Sequence, residues 1–141
     1  MSTSSFSSRV KRAERLFKGE AEIVFAYIFG SAARGDAGPL SDLDFAVFMK
    51  GRRDPFAYRL KLMDTLARAL GSDDFDLVVL NDSPLLLRYE VVKGGKILKD
   101  EPSTRVAFET AVVGEYLDTL YIRSVHRCFV KEQLLKGVYF G

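Results

Sequence analysis

The residues best suited to chemistry lie in one short stretch, residues 30–44, which has the sequence GSAARGDAGPLSDLD. The stretch follows an apolar run at residues 22–29 that predicts a buried strand. Near its end, Asp42 and Asp44 flank a single leucine at the start of a second predicted strand. Because side chains alternate along a strand, both carboxylates should project from the same face.

Two carboxylates held side by side repel each other unless a cation lies between them. Hard oxygen ligands that leave room for phosphate oxygens suit Mg²⁺, and Mn²⁺ is an alternative. A third carboxylate on a neighbouring strand would complete a site for two metal ions. We expect Asp76 to supply it, because it interrupts an otherwise apolar third strand, and Asp74 is the alternative. The competing interpretation makes Asp42 a turn-capping residue and Asp76 the mark of a strand edge.

The turn before these aspartates has features of a phosphate-binding loop. Gly30 lets a ligand approach the backbone closely, and Ser31 adds a hydroxyl donor. Backbone N–H groups in the residues that follow could point at phosphate oxygens. Arg34 could bind a triphosphate with its forked guanidinium, although an exposed loop arginine is as good an explanation.

Periodicity and capping residues predict the elements that position this stretch. The predicted order is αβ(turn)βαβαβα, an α/β (α+β) fold with a small mixed sheet flanked by helices. We expect a single domain over residues 1–141, with a core at about residues 20–100. The predicted helices cover residues 6–18, 55–70, 84–93 and 102–136, and the predicted strands cover residues 22–29, 43–49, 75–80 and 96–98. The short link at residues 30–40 should make the first two strands antiparallel neighbours.

A Gly30-Ser31 pair, ten intervening residues and then Asp42-x-Asp44, all after an apolar strand, resembles the DNA polymerase β-like nucleotidyltransferase superfamily. The Ala33-Arg34-Gly35 sequence and the short chain look like its minimal nucleotidyltransferases. Within these, the chain is similar to the antitoxin of the pair formed with a HEPN-type ribonuclease toxin. The resemblance covers about residues 23–98 and implies the nucleotidyltransferase fold.

The resemblance also implies roles for the site. Gly30 and Ser31 would hold the nucleotide triphosphate, Asp42 and Asp44 would bind two Mg²⁺ ions, and Asp76 would bind the catalytic one. The implied reaction transfers AMP from ATP to a hydroxyl, namely a tyrosine of a HEPN-type toxin. Nucleic acid would then be contacted only through that partner. Transfer to a small molecule such as an aminoglycoside, and neutralisation of a toxin by contact alone, are the alternatives.

Composition limits other interpretations of the chain. Its 141 residues include 21 basic and 19 acidic side chains, a net charge of +2 that gives an RNA-binding module little support. The single cysteine, Cys128, excludes an internal disulfide and fits a reducing cytoplasm, and we expect it to be a small core residue. No apolar run is long enough to span a bilayer.

The last predicted helix, residues 102–136, carries more apolar side chains than one packing face requires. The surplus predicts either packing within this domain or an interface with a partner or a second copy. The sequence leaves these alternatives, and with them the oligomeric state, open.

Overall fold

The computed structural model describes residues 2–30, 33, 43–51 and 54–136. Within these ranges the elements alternate much as the periodicity predicts. They are α1 (Ser2–Gly19), β1 (Ile23–Phe29), β2 (Leu43–Met49), α2 (Pro55–Leu70), β3 (Phe75–Val79), a 3₁₀ turn (Leu80–Asp82), α3 (Leu85–Gly94), β4 (Lys96–Lys99) and α4 (Pro102–Lys136). The first helix begins at Ser2 rather than at residue 6, and the other bounds lie within two residues of the predicted ones. No helix in the described ranges is long and apolar enough to cross a membrane.

The ends of α2 show how local sequence sets an element. The side chain of Asp54 accepts a hydrogen bond from the backbone N–H of Phe56 at 3.0 Å and caps the first turn. Pro55 follows in the first turn, where a missing N–H costs nothing. Gly71 ends the helix in the left-handed conformation, with φ +70°, which favours glycine. The predicted start and end of this helix are both confirmed.

The four strands form one mixed sheet in the order β3-β2-β1-β4. Strand β1 is antiparallel to both β2 and β4, and its pairing with β2 is the one expected from the short link between them. Strands β2 and β3 are parallel, because α2 returns the chain to the end of the sheet at which β2 begins. The predicted fold class, a small mixed sheet with flanking helices and a long C-terminal helix, is confirmed.

Each face of the sheet is covered by its own pair of helices. On one face, Leu43, Phe45 and Val47 pack against side chains from α1 and α2, and Phe17 meets the Phe45 ring edge-on at 5.5 Å. On the other face, α3 and α4 cover a second cluster that includes Ala46. Alternation along β2 therefore sends odd-numbered residues to one core and even-numbered residues to the other.

The start of α4 is attached to the sheet by a polar network. The Tyr27 hydroxyl donates a hydrogen bond to Glu109 at 2.5 Å, and Arg105 donates to Glu109 at 2.9 Å and to Asp100 at 2.5 Å. Burial raises the pKa of the Tyr27 hydroxyl, and the hydrogen bond to Glu109 raises it further. Tyr27 is therefore a neutral donor, and the network ties α4 to the central strand.

Candidate active site

Three of the predicted site residues lie together at one end of the strands. Because β1 is antiparallel to β2, the end of β1 lies beside the start of β2, with Phe29 opposite Asp44. The parallel strand β3 starts at the same end of the sheet and places Asp76 directly opposite Asp44. Gly30 follows Phe29. The structure therefore brings Gly30, Asp44 and Asp76 together.

Both aspartates lie on the face of the sheet that α3 and α4 cover. Asp44 alternates with Phe45 and so shares a face with Ala46, while Asp76 shares that face with Val78. Paired residues of neighbouring parallel strands have backbones about 4.8 Å apart, so their carboxylates are close neighbours. Asp44 is partly buried, and the Asp76 side chain is 61% exposed.

Asp76 is held by its own backbone and by a helix. Its Oδ1 atom accepts a hydrogen bond from the Leu77 N–H at 2.9 Å and lies 3.6 Å from the Arg59 guanidinium. Arg59, on α2, also donates to the Leu77 carbonyl at 2.7 Å. Among the described residues, Oδ2 of Asp76 makes no hydrogen bond or ion pair, so this oxygen is available to a ligand.

Gly30 is required at its position for two separate reasons. Its φ is +76°, a conformation that residues with a side chain rarely adopt. A Cβ atom at this position would also collide with Oδ2 of Asp44. The Asp44 carboxylate thus rests against the bare backbone at the end of β1, and any larger residue would displace it.

The sequence resemblance assigns a nucleotide triphosphate to this turn, so we expect Gly30→Ala to weaken nucleotide binding, because it displaces a charged group at the site. Gly71→Ala is the matched control: Gly71 has φ +70°, but a Cβ there would meet nothing within 4 Å, so it shares the backbone strain without the collision. Both variants should lose about 1–3 kcal/mol of stability. Circular dichroism melts and nucleotide titration measure the two effects. Equal loss of nucleotide affinity in both variants would remove Gly30 from the site.

An open cleft of about 570 Å³ adjoins Gly30 on the same face as the carboxylates. It is lined by Phe29 and Gly30 from the end of β1 and by residues of α3, namely Leu87, Glu90, Lys93 and Gly94. Its volume is in the range of small-molecule sites. Lys93 offers an ammonium group for a phosphate, and the apolar residues offer a surface for a flat ring.

Sequence reasoning missed Arg59 and the α3 residues of this cleft. No local pattern marks Arg59, because its contact with β3 depends on how α2 packs along the sheet edge. Leu87, Glu90 and Gly94 recur at helical spacing, which shows that they share a face of α3 but not what that face covers.

Other predicted site residues, Ser31, Arg34 and Asp42, lie outside the described residues. The alternative third carboxylate, Asp74, precedes β3, where its carbonyl accepts hydrogen bonds from Leu43 N–H at 3.3 Å and Arg9 at 2.9 Å. Asp76, and not Asp74, is therefore the residue directly opposite Asp44. The register therefore favours Asp76.

The described part of the site fits a hard divalent cation. Two carboxylates face each other across β2 and β3, and one oxygen of Asp76 is available to a ligand. In the ranges that the structure describes, no group of three or more metal-ligating side chains occurs. A complete ligand set would therefore need Asp42 or phosphate oxygens as well.

The sequence profile of the polymerase beta nucleotidyltransferase family matches residues 11–104. The chain belongs to this family. The matched segment runs from the middle of α1 to the start of α4 and contains the whole candidate site. The aspartate pair and the Gly30 turn therefore lie within the nucleotidyltransferase domain. No curated protein is significantly similar to this nucleotidyltransferase in sequence.

Several solved structures resemble this nucleotidyltransferase. A chain of a toxin–antitoxin complex with AMP-PNP is 28% identical, with a TM-score of 0.71, over 86% of this chain and 98% of that one. A chain of the MntA-HepT toxin–antitoxin complex is 27% identical, with a TM-score of 0.65, over 87% and 97%.

A third similar chain comes from a complex of the tri-AMPylated HEPN toxin of Shewanella oneidensis with its MNT antitoxin. It is 27% identical, with a TM-score of 0.63, and the match covers 93% of this nucleotidyltransferase and 99% of that chain. Nearly the whole of this chain is thus similar to components of toxin–antitoxin complexes.

Proposed function

We propose that this nucleotidyltransferase transfers AMP from ATP to a tyrosine of a HEPN-type toxin and thereby acts as the antitoxin. The observation that carries the proposal is the pairing of Asp44 with Asp76 beside Gly30. Membership of the nucleotidyltransferase family supports the reaction class. Similarity to a chain from a complex whose toxin is tri-AMPylated supports the acceptor.

In this proposal, the chain's own residues mainly position the reactants. Asp42 and Asp44, with Asp76, would hold two divalent ions, Mg²⁺ or Mn²⁺. The bare backbone at Gly30 and the hydroxyl of Ser31 would receive the triphosphate, and Arg34 would add a guanidinium. The adenosine would occupy the cleft between β1 and α3, where Lys93 could contact the phosphates.

The proposed reaction is a single in-line displacement. The phenolic oxygen of the acceptor forms a bond to the α-phosphorus, the bond from that phosphorus to the bridging oxygen breaks, and pyrophosphate leaves. The phenolic proton is lost to solvent or a nearby base. Bound divalent ions would supply charge neutralisation and lower the pKa of the acceptor hydroxyl, which is about 10 in a free tyrosine. The protein contributes alignment and a fixed electrostatic environment.

The decisive test incubates the full chain, Mg²⁺ and α-labelled ATP with the HEPN-type protein encoded beside it. We expect the partner to gain label, and mass spectrometry to find AMP on a tyrosine. The control replaces ATP by γ-labelled ATP, from which no label should transfer. Loss of toxicity without any added AMP would contradict the proposal and favour neutralisation by contact. Label on an added aminoglycoside instead of the protein would favour small-molecule transfer.

A further inference from the structure

Helix α4 divides into a part that packs on the sheet and a part that extends beyond it. In the first part, Phe108 packs against the aromatic cluster of the sheet, and Val112 is fully buried. Tyr116 stacks on Tyr89 of α3 with ring centroids 3.6 Å apart. From residue 117 to 133, by contrast, no described side chain is buried. We call residues 117–136 the distal segment, which is about 30 Å long at 1.5 Å per residue.

The distal segment exposes many apolar side chains; Ile122 and Phe129 lie apart, and six others follow one side of the helix. Leu117 and Tyr121 are four residues apart, Cys128 follows seven residues later and Leu135 another seven, a spacing that keeps them on one side of a helix. We call this side the apolar stripe, and all six of its residues are exposed: Leu117, Leu120, Tyr121, Val125, Cys128 and Leu135. Contiguous exposed apolar surface of this kind marks an interaction site.

A row of positive charge borders the apolar stripe. Arg123, Arg127 and Lys131 recur every four residues, so they lie along one side of the helix, next to Leu120. All three are exposed. A surface that covers the stripe must therefore place acidic or neutral groups beside this row, because burying like charges together is costly.

The basic row disfavours a second copy of this chain as the occupant. If two distal segments packed antiparallel about Arg127, then Arg123 of each would face Lys131 of the other. A partner with an apolar groove edged by carboxylates avoids this repulsion. We infer that the apolar stripe of the distal segment is the docking surface for such a groove on the HEPN-type toxin, an inference that rests on the proposed partner.

The arrangement separates recognition from chemistry. The stripe begins one residue beyond the Tyr116–Tyr89 stack, which joins α4 to α3, and α3 lines the cleft beside Gly30. Helix α4 packs on the face of the sheet that carries Asp44 and Asp76, so a toxin bound to the distal segment would lie on that side of the domain, against the side of α4 that points away from the sheet. Docking there would raise the effective concentration of the acceptor near the site.

The first test compares two substitutions at equally exposed apolar residues. Val125 in the stripe and Leu60 on α2 are both 51% exposed, and α2 covers the opposite face of the sheet. We expect Val125→Glu to weaken binding of the co-encoded HEPN-type protein about 30-fold or more, as loss of a hot-spot residue does. Leu60→Glu should bind like the wild type. Isothermal titration calorimetry measures affinity, and the thermal shift caused by Mg²⁺ and ATP shows that the active site is intact.

The second test needs no substitution, because Cys128 is the only cysteine in the chain and is exposed within the stripe. A maleimide should alkylate it rapidly in the free protein and at least about tenfold more slowly at saturating partner, provided the stripe is covered. Tight binding with an unchanged rate of alkylation would overturn the inference.

Other outcomes are equally decisive. A full-affinity complex with Val125→Glu would overturn the docking surface while leaving the proposed reaction intact. Absence of any complex with the wild-type protein would overturn both the proposed partner and this inference. If the wild-type protein is a dimer in sedimentation experiments and Val125→Glu is a monomer, the occupant is a second copy, and the inference is wrong.

Discussion

Asp44→Asn should abolish the thermal stabilisation by Mg²⁺ and ATP and reduce AMP transfer by about 10³-fold or more. Asp44 lies at the centre of the site, because it is opposite Phe29 on one neighbouring strand and opposite Asp76 on the other. Its carboxylate also rests against Gly30. Removing this charge would therefore take away a proposed metal ligand beside the turn that would bind the triphosphate, so affinity and rate should fall together.

The substitution keeps the size of the side chain, so folding should not obscure the result. Asp64→Asn is the matched control, since it removes one negative charge from an exposed position on α2 that pairs with Arg68 one turn away. Its stabilisation by Mg²⁺ and ATP should equal that of the wild type. An undiminished shift in Asp44→Asn would mean that the metal and nucleotide bind elsewhere.

Asp76→Asn should behave differently, retaining most of its ATP affinity while losing about 10²–10³ in transfer rate. In the proposed site, Asp42 and Asp44 would hold the ion that accompanies the triphosphate, and Asp76 would help to hold an ion that could lower the pKa of the acceptor hydroxyl. Asp76 is also the more exposed member of the described pair, with one oxygen available to a ligand. Its loss should therefore affect the chemical step more than binding.

The neighbouring carboxylate provides both the control and the rival hypothesis. Asp74→Asn changes a nearby charge without changing the residue opposite Asp44, so it should keep full transfer activity. Single-turnover rates at saturating ATP, with affinities from titration, separate the two effects. Full transfer activity in Asp76→Asn, together with loss of transfer activity in Asp74→Asn, would show that Asp74 and not Asp76 is the third carboxylate.

Asp76 differs from the other acidic residues near β3 in part because the Arg59 guanidinium lies beside its carboxylate. The guanidinium approaches Oδ1 and binds the Leu77 carbonyl, so it fixes the start of the edge strand as well as the carboxylate. An arginine that bridges a helix and a strand in this way orients the carboxylate while leaving the other oxygen to a ligand. Sequence reasoning had no basis for assigning Arg59 this position.

The sequence by itself determined the local features of this protein. Alternation along residues 43–49 is enough to place Asp44 on the face opposite Leu43 and Phe45, because strand geometry repeats every two residues. Asp54, Pro55 and Gly71 set the ends of α2 through capping groups that lie within a few residues of each end. The Gly30 turn and the aspartates after it were recognisable for the same reason, as short-range patterns.

Only the tertiary structure decided how these local features meet. The pairing of Asp44 with Asp76 depends on the register of β2 with β3, which is set by how α2 packs and not by either strand alone. The expected burial of Cys128 was wrong, because the sheet and α3 end before that part of α4. Helical periodicity reports which residues share a side, but whether that side is covered depends on the extent of the surface beneath it.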